Sequence, residues 1–329
     1  MESGTGMRTI TLEEHFVTPG FLAGPGRAIV ERAAQPGNPF ARILEQLREA
    51  GPARIAEMDA AGIDLQVLSL NSPGAEQSDA AEATALSREA NDCIAAAMAG
   101  HSGRFSGFAT LPIADPPKAA AELERTVREQ NFKGAAINGH HRGRYLDDKF
   151  FWPVLECAES LRVPIYLHPT QPPAAVVAAS YSGFNPDVNY FFANSGWGWH
   201  IETAVHVLRM ILGGVFDRFP NLQIVVGHLG EALPFMMQRA DLMAPAITGL
   251  KRPITAYLRE NVHYSISAFN FTAPFFDLFL QAGADRILFS ADYPYGSMAQ
   301  ARAFLDHLPI SPKDRKRIAF RNAERLLGL

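Results

Sequence analysis

Cysteine is nearly absent: Cys93 and Cys157 are the only two in 329 residues, and they share no spacing motif. That excludes a disulfide-stapled scaffold and a cysteine-based metal knuckle, and it reads as a reduced, cytoplasmic protein. There is no basic tail, and the formal net charge is −4, so nucleic acid is not an expected partner. No uninterrupted apolar run reaches membrane-spanning length, so no membrane is expected either. No G-x-G-x-x-G opens a helix after a strand, which argues against a dinucleotide site. Internal repeats and domain linkers are also missing. The opening MESGTG carries neither a basic n-region nor an apolar h-region. It reads as a flexible leader over 1–6, ahead of a single domain over 7–329.

What is present is a globular composition, 47% hydrophobic and 19% charged, with ample material for a large core. The chain is organised around Met7–Phe16, MRTITLEEHF, a short strand with apolar Ile10 and Leu12 and β-branched Thr9 and Thr11. Side chains at i and i+2 share a strand face. Glu13 and His15 therefore stand side by side, with Glu14 facing the other way.

The order of elements then repeats. A Gly/Pro-rich loop over 19–39 is long enough to be a lid or an active-site wall. A helical stretch over 40–62 follows, and further strands read at 64–70, 104–111, 134–138, 164–168, 222–227, 262–266 and 286–290, each followed by helix. A long aromatic-rich excursion, 169–199, comes after the fifth strand. Several strands are apolar throughout, as in a parallel sheet buried on both faces. Eight βα units in about 320 residues predict a (β/α)8 barrel, with a doubly wound open sheet as the competing architecture.

Barrel active sites form at the C-terminal strand ends. There this chain places Glu13 and His15 (first strand), His168 (fifth), His228 (sixth) and Asp292 (eighth). Convergence of five titratable groups at one mouth predicts a metal site. Histidine and carboxylate donors without cysteine suit Zn²⁺ or Mn²⁺. The fourth strand ends in Asn138, not in a lysine that could bridge two ions, so one divalent ion is expected. Asn138 is also placed to touch substrate. Trp197, Trp199 and His200 could wall the pocket. His206 reads as structural, and the loop histidines His140 and His141 read as solvated.

Along nearly its whole length the chain resembles the amidohydrolase superfamily, in its amidohydrolase-2 or decarboxylase branch. The stretches that carry the resemblance are LEEHF at 12–16, RIAEMDAAGIDLQVLSLNSPG at 54–74, YLHP at 166–169, GVFDRFPNLQIVVGHLGEALPF at 214–235, FSADYPY at 289–295 and NAERLL at 322–327. The Glu-x-His form of the first motif looks like the resorcylate and carboxyvanillate decarboxylases. The resemblance implies metal ligands Glu13, His15, His168 and Asp292. It implies that His228 and Glu231 form a catalytic pair beside the metal, and that Arg239 can approach the substrate. It also implies a homodimer or homotetramer. The favoured activity is non-oxidative decarboxylation of a small hydroxylated aromatic carboxylate, with Asp292 protonating the ring carbon and no organic cofactor. The alternative is hydrolysis of an amide, ester or lactone by a metal-bound hydroxide.

Overall fold

The computed structural model describes residues 6–329, so the leader expected over 1–6 lies almost wholly outside the described residues. Its strands are β1 (Ile10–Phe16), β2 (Leu65–Leu70), β3 (Phe105–Gly107), β4 (Ala109–Thr110), β5 (Ala135–Asn138), β6 (Ile165–His168), β7 (Ile224–Val226), β8 (Val262–Ser265) and β9 (Ile287–Leu288). They pair in chain order, β1 to β3 in one sheet and β4 to β9 in another, and every pairing is parallel.

Two seams join these sheets. Only Phe108 separates β3 from β4, and its N–H donates to the Leu68 carbonyl at 2.9 Å. The two pieces are halves of one barrel strand, which makes eight. On the other side a parallel bridge pairs Glu14 with Tyr293, just past β9, and the His15 N–H donates to the Tyr293 carbonyl at 2.8 Å. This is the (β/α)8 barrel that the alternation of elements predicts.

Alternation along each strand sorts the core into two layers. Ile10, Leu12, Leu65, Val67, Phe108, Tyr166, Val225 and Leu288 fill the barrel interior as one cluster. Leu68, Ile137, Ile165, Leu167, Ile224 and Val226 belong to the larger cluster that packs under the helices. Both faces are apolar, which is why these strands read as unbroken hydrophobic runs.

Several boundaries differ from the sequence reading. The single helix expected over 40–62 is two, Phe40–Leu47 and Pro52–Ala61, because Pro52 starts a new helix at its first position. The loop over 19–39 holds helices Pro19–Ala23 and Arg27–Ala33, and the excursion over 169–199 holds Ala174–Ser180 and Pro186–Ala193. The helix expected from Glu231 begins at Leu233, since His228, Leu229, Glu231 and Ala232 all have positive φ. No helix among the described residues is long and apolar enough to cross a membrane.

Candidate active site

β1 supplies Glu13 and His15 through an irregularity. Its register against β2 advances from Thr11↔Gln66 to Glu14↔Leu68, three residues for two, which is a bulge over Leu12 and Glu13. Leu12 and Glu13 thereby both turn inward, Glu14 turns away, and His15 faces inward again, as the i, i+2 spacing requires. β6 adds His168 from its last position, with Tyr166 two residues earlier on the same inner face.

Glu13, His15 and His168 are all buried, and they present ligand atoms within 4.8 Å of one another. Glu13 Oε1 lies 3.2 Å from His168 Nε2 and 3.7 Å from His228 Nε2. Asp292 closes the ring, with Oδ1 3.2 Å from His15 Nε2 and Oδ2 3.8 Å from His228 Nε2. His228 Nδ1 donates to Glu231 Oε1 at 2.6 Å. The convergence expected from the strand ends is therefore present. The cavity of about 770 Å³ lined by Arg162, Gln223, His263 and Arg286 lies at the opposite, N-terminal strand ends and contains none of these groups.

The donor set fits a cation. Tyr166 and Ser267 hydroxyls both donate to Glu13 Oε2, while Glu13 Oε1, fully buried, has no hydrogen-bond donor. His168 Nδ1 donates to the Pro169 carbonyl at 2.8 Å, so its Nε2 carries the lone pair in the neutral ring. Two lone-pair atoms then face each other at 3.2 Å, an arrangement that a cation between them resolves. Gly227 guards the same carboxylate: a Cβ there would stand 2.6 Å from Glu13 Oε2.

Burial opposes ionisation of Glu13, but the His228 imidazolium beside it outweighs burial and holds its carboxyl well below the usual range. For His228, burial opposes the charge, and Glu231, Glu13 and Asp292 overcome it, so the imidazolium persists well above the ordinary histidine range. Burial pushes the Tyr166 phenol up, and Glu13 pushes it further, which keeps its proton in place as a donor.

Backbone geometry marks the same place. Seven non-glycine residues after β7, β8 and β9 have positive φ: His228, Leu229, Glu231, Ala232, Ser267, Ala268 and Asp292. Such conformations cost about 1 kcal/mol or more each and gather at functional sites.

Glu231 also accepts from a second ring: His200 Nδ1 donates to its Oε2 at 2.5 Å, and Trp199 Nε1 donates to His200 Nε2 at 3.0 Å. Trp199 packs edge-on to His168, and Phe269 lies against both His200 and His228. The wall expected from Trp199 and His200 is thus present, while Trp197 is exposed. Sequence reasoning missed Tyr166 and Ser267. The signal for Tyr166 was its i−2 relation to His168; Ser267, beyond the end of β8, had none. His206 is structural as read, its Nε2 accepting the Leu146 N–H at 2.9 Å. His140 is a correction: it is buried, accepting the Gly143 N–H at 3.0 Å, because the loop folds under the Gln171 carbonyl.

Arg239 is not brought into this cluster. It is exposed on the helix Leu233–Ala240, with no side-chain hydrogen bond or ion pair to the site residues. Asn138 is buried at the end of β5, and its N–H donates to Glu76 Oε1 at 2.7 Å. Its own Oδ1 has no donor.

Burial pushes the Glu76 carboxyl up to about 7, against hydrogen bonds from Asn138 that favour ionisation. The unfolded chain loses this proton near the ordinary 4.5, before the folded chain does. Glu76 therefore lowers stability as pH rises from about 4.5 to about 7, by about 3 kcal/mol in all, and the loss is constant above that. Glu76→Gln keeps the acceptor for Asn138. Its stability gain over wild type should be small at pH 5 and largest at pH 8, read by thermal unfolding. An equal difference at both pH values rules this out.

Fold and site together define a barrel enzyme with a histidine and carboxylate cluster at the C-terminal strand ends that could hold a metal ion. The chain belongs to the amidohydrolase family, whose sequence profile, described as Amidohydrolase, matches residues 29–329. It is 36% identical to a gamma-resorcylate decarboxylase of Polaromonas sp. (strain JS666), over 97% of this chain and 98% of that protein. A crystal structure of dihydroxybenzoic acid decarboxylase from Polaromonas sp. JS666, with bound manganese and the inhibitor 2-nitroresorcinol, superposes with a TM-score of 0.89 at 36% identity, covering 98% of each chain. A structure of 5-carboxyvanillate decarboxylase from Novosphingobium aromaticivorans, with manganese and 4-hydroxy-3-methoxy-5-nitrobenzoic acid, gives a TM-score of 0.90 at 34% identity, covering 98% of this chain and 97% of that one.

Proposed function

We propose that this protein is a metal-dependent, non-oxidative decarboxylase of a hydroxylated aromatic carboxylic acid. One observation carries the reading: buried Glu13, His15, His168 and His228 ringed with half-buried Asp292, in a chain similar over 97% of its length to a gamma-resorcylate decarboxylase. Glu13, His15, His168 and Asp292 would hold one divalent ion, manganese or zinc, within a single barrel domain over 7–329. When bound, the ion would supply Lewis-acid stabilisation of negative charge on the substrate.

The chain's own groups do the rest. Tyr166 and Ser267 fix the Glu13 carboxylate so that Oε1 faces the cluster. Glu231 fixes the His228 ring through Nδ1, leaving Nε2 turned toward Glu13 and Asp292. The bond from the ring carbon to the carboxylate breaks, and its electron pair stays on that carbon. A proton from Asp292 takes up the pair, CO₂ leaves, and solvent returns a proton to Asp292. Trp199 and Phe269 wall the site with aromatic surface that suits a ring. No organic cofactor is needed.

Asn138 is proposed to touch substrate. Arg239, exposed on its helix, is proposed to approach the substrate, and the protein is proposed to be a homodimer or homotetramer. Light scattering at micromolar concentration should give a multiple of 36.0 kDa, and a mass near one chain would overturn the oligomer. The free thiols of Cys93 and Cys157 support a cytoplasmic protein. The direct test of the activity is CO₂ release from a panel of hydroxybenzoates by metal-replete protein, with lactones, esters and amides run in parallel.

A further inference from the structure

Two fully buried ionisable side chains beside the cluster have no part in the reaction just described, and burial pushes the carboxyl of one of them, Glu14, up to about 8. Glu14 and Arg54 are both 0% exposed, and a charge is buried at high cost unless its hydrogen-bonding capacity is met. They form no direct ion pair with one another. Gln66 stands between them, its Oε1 accepting from Arg54 Nε at 2.7 Å and its Nε2 donating to Glu14 Oε2 at 3.0 Å.

The Glu14 carboxylate is committed elsewhere. Its Oε1 accepts the Ala291 N–H at 2.9 Å, and its Oε2 accepts the Tyr293 N–H at 3.3 Å. Ala291 and Tyr293 flank Asp292, whose φ is 54°. A non-glycine residue there is held by its surroundings. Arg54 secures the neighbouring chain: Nη1 donates to the His15 carbonyl at 2.8 Å, and the guanidinium lies 4.6 Å from the centre of the Tyr293 ring. The His15 N–H in turn donates to the Tyr293 carbonyl at 2.8 Å. All of this sits behind the cluster, on the side away from His15 and Asp292 side chains.

We propose that Glu14 is a positioning residue. Its carboxylate clamps the two N–H groups on either side of Asp292, with Gln66 and Arg54 supporting it from behind, and so aims the Asp292 carboxylate at His15 and His228. The geometry stands by itself; the consequence for turnover rests on the proposed function. The competing role is a buried negative charge that merely balances Arg54.

Two variants separate these roles, with Co²⁺ as probe because its visible absorption reports ligand geometry. Glu14→Gln replaces one acceptor oxygen with a donor that opposes a backbone N–H. The exchange variant Glu14→Gln/Gln66→Glu returns a carboxylate to the same buried cluster but not to the two N–H groups. Under the clamp, Glu14→Gln folds, its Co²⁺ spectrum changes, and metal affinity falls by about 10–100-fold, as for lost outer partners of metal ligands. On an active substrate, kcat falls while KM moves little. The exchange variant regains thermal stability but keeps the altered spectrum and weak affinity.

An unchanged spectrum and affinity in Glu14→Gln overturns the clamp. So does an exchange variant that regains spectrum, affinity and stability together, which is what charge balance alone predicts. If Glu14→Gln fails to fold, the exchange variant is read alone by the same criteria, and failure of both to fold counts for the structural role. If wild-type protein releases CO₂ from no hydroxybenzoate, the proposed function falls, and the spectrum and affinity still decide the clamp.

Discussion

His168→Ala protein should fold as wild type does and lose its divalent metal. The strand that carries His168 is held from the other side, by Ile165 and Leu167 packed under the helices at 0% exposure, and these contacts do not involve the imidazole. Tyr166 and Ser267 keep Glu13 in place. What goes is the Nε2 lone pair 3.2 Å from Glu13 Oε1. Because this nitrogen would touch the ion directly, affinity should drop by more than the roughly 10–100-fold that an outer partner costs. Elemental analysis after growth in manganese- or zinc-supplemented medium should find about one ion per wild-type chain and essentially none in the variant.

A second readout follows from linkage. A ligand that binds only the folded state at about 100 times its Kd adds about 2.7 kcal/mol of stability. Added Mn²⁺ or Zn²⁺ should therefore raise the melting temperature of wild-type protein and leave that of His168→Ala nearly unmoved. Wild-type protein free of metal under these growth conditions would sink the metal site. A variant with an altered circular dichroism spectrum would show that His168 serves the fold.

Much of this site could be read before folding because barrel strands end where the chemistry sits. Glu13, His15, His168, His228 and Asp292 needed only strand ends and a period of two. What could not be read depends on partners far apart in sequence. Glu14 was placed facing away from Glu13, and it does, but nothing local says that it reaches Ala291, 277 residues on. The bulge over Leu12 and Glu13 exists only against β2. Ser267 meets Glu13 across 254 residues. The break at Phe108 leaves no trace in hydrophobicity, since the residue is buried on a strand like its neighbours. Positive φ at His228, Leu229, Glu231 and Ala232 was also invisible, because none is glycine and each conformation is imposed by the packing around it. Arg239 shows the converse: the family resemblance implies an approach to substrate, but the helix starts only at Leu233 and leaves the guanidinium exposed.

The proposed reaction makes Asp292 the proton donor, and the fate of that proton separates decarboxylation from hydrolysis. Asp292 lies between His15 Nε2 at 3.2 Å and His228 Nε2 at 3.8 Å, on a backbone of positive φ, so its carboxylate faces the site. In the decarboxylase the proton ends on the ring carbon that lost CO₂. Turnover in D₂O should place one deuterium at that carbon and none elsewhere on the ring, read by proton NMR or mass spectrometry. In a hydrolase the acyl carbon takes oxygen from water, and no ring C–D bond forms. Asp292→Asn keeps an oxygen that can face the ion but carries no acidic proton. Its kcat should fall by roughly 10²–10⁴, the usual worth of a general acid, and further where metal is lost as well. Metal content measured alongside separates the two losses. A hydroxybenzoate panel that yields neither CO₂ nor ring deuterium, beside measurable cleavage of an ester, lactone or amide, would overturn decarboxylation in favour of hydrolysis. The residues at the strand ends would then hold an ion that would supply water activation, with Asp292 taking a proton where decarboxylation has it give one.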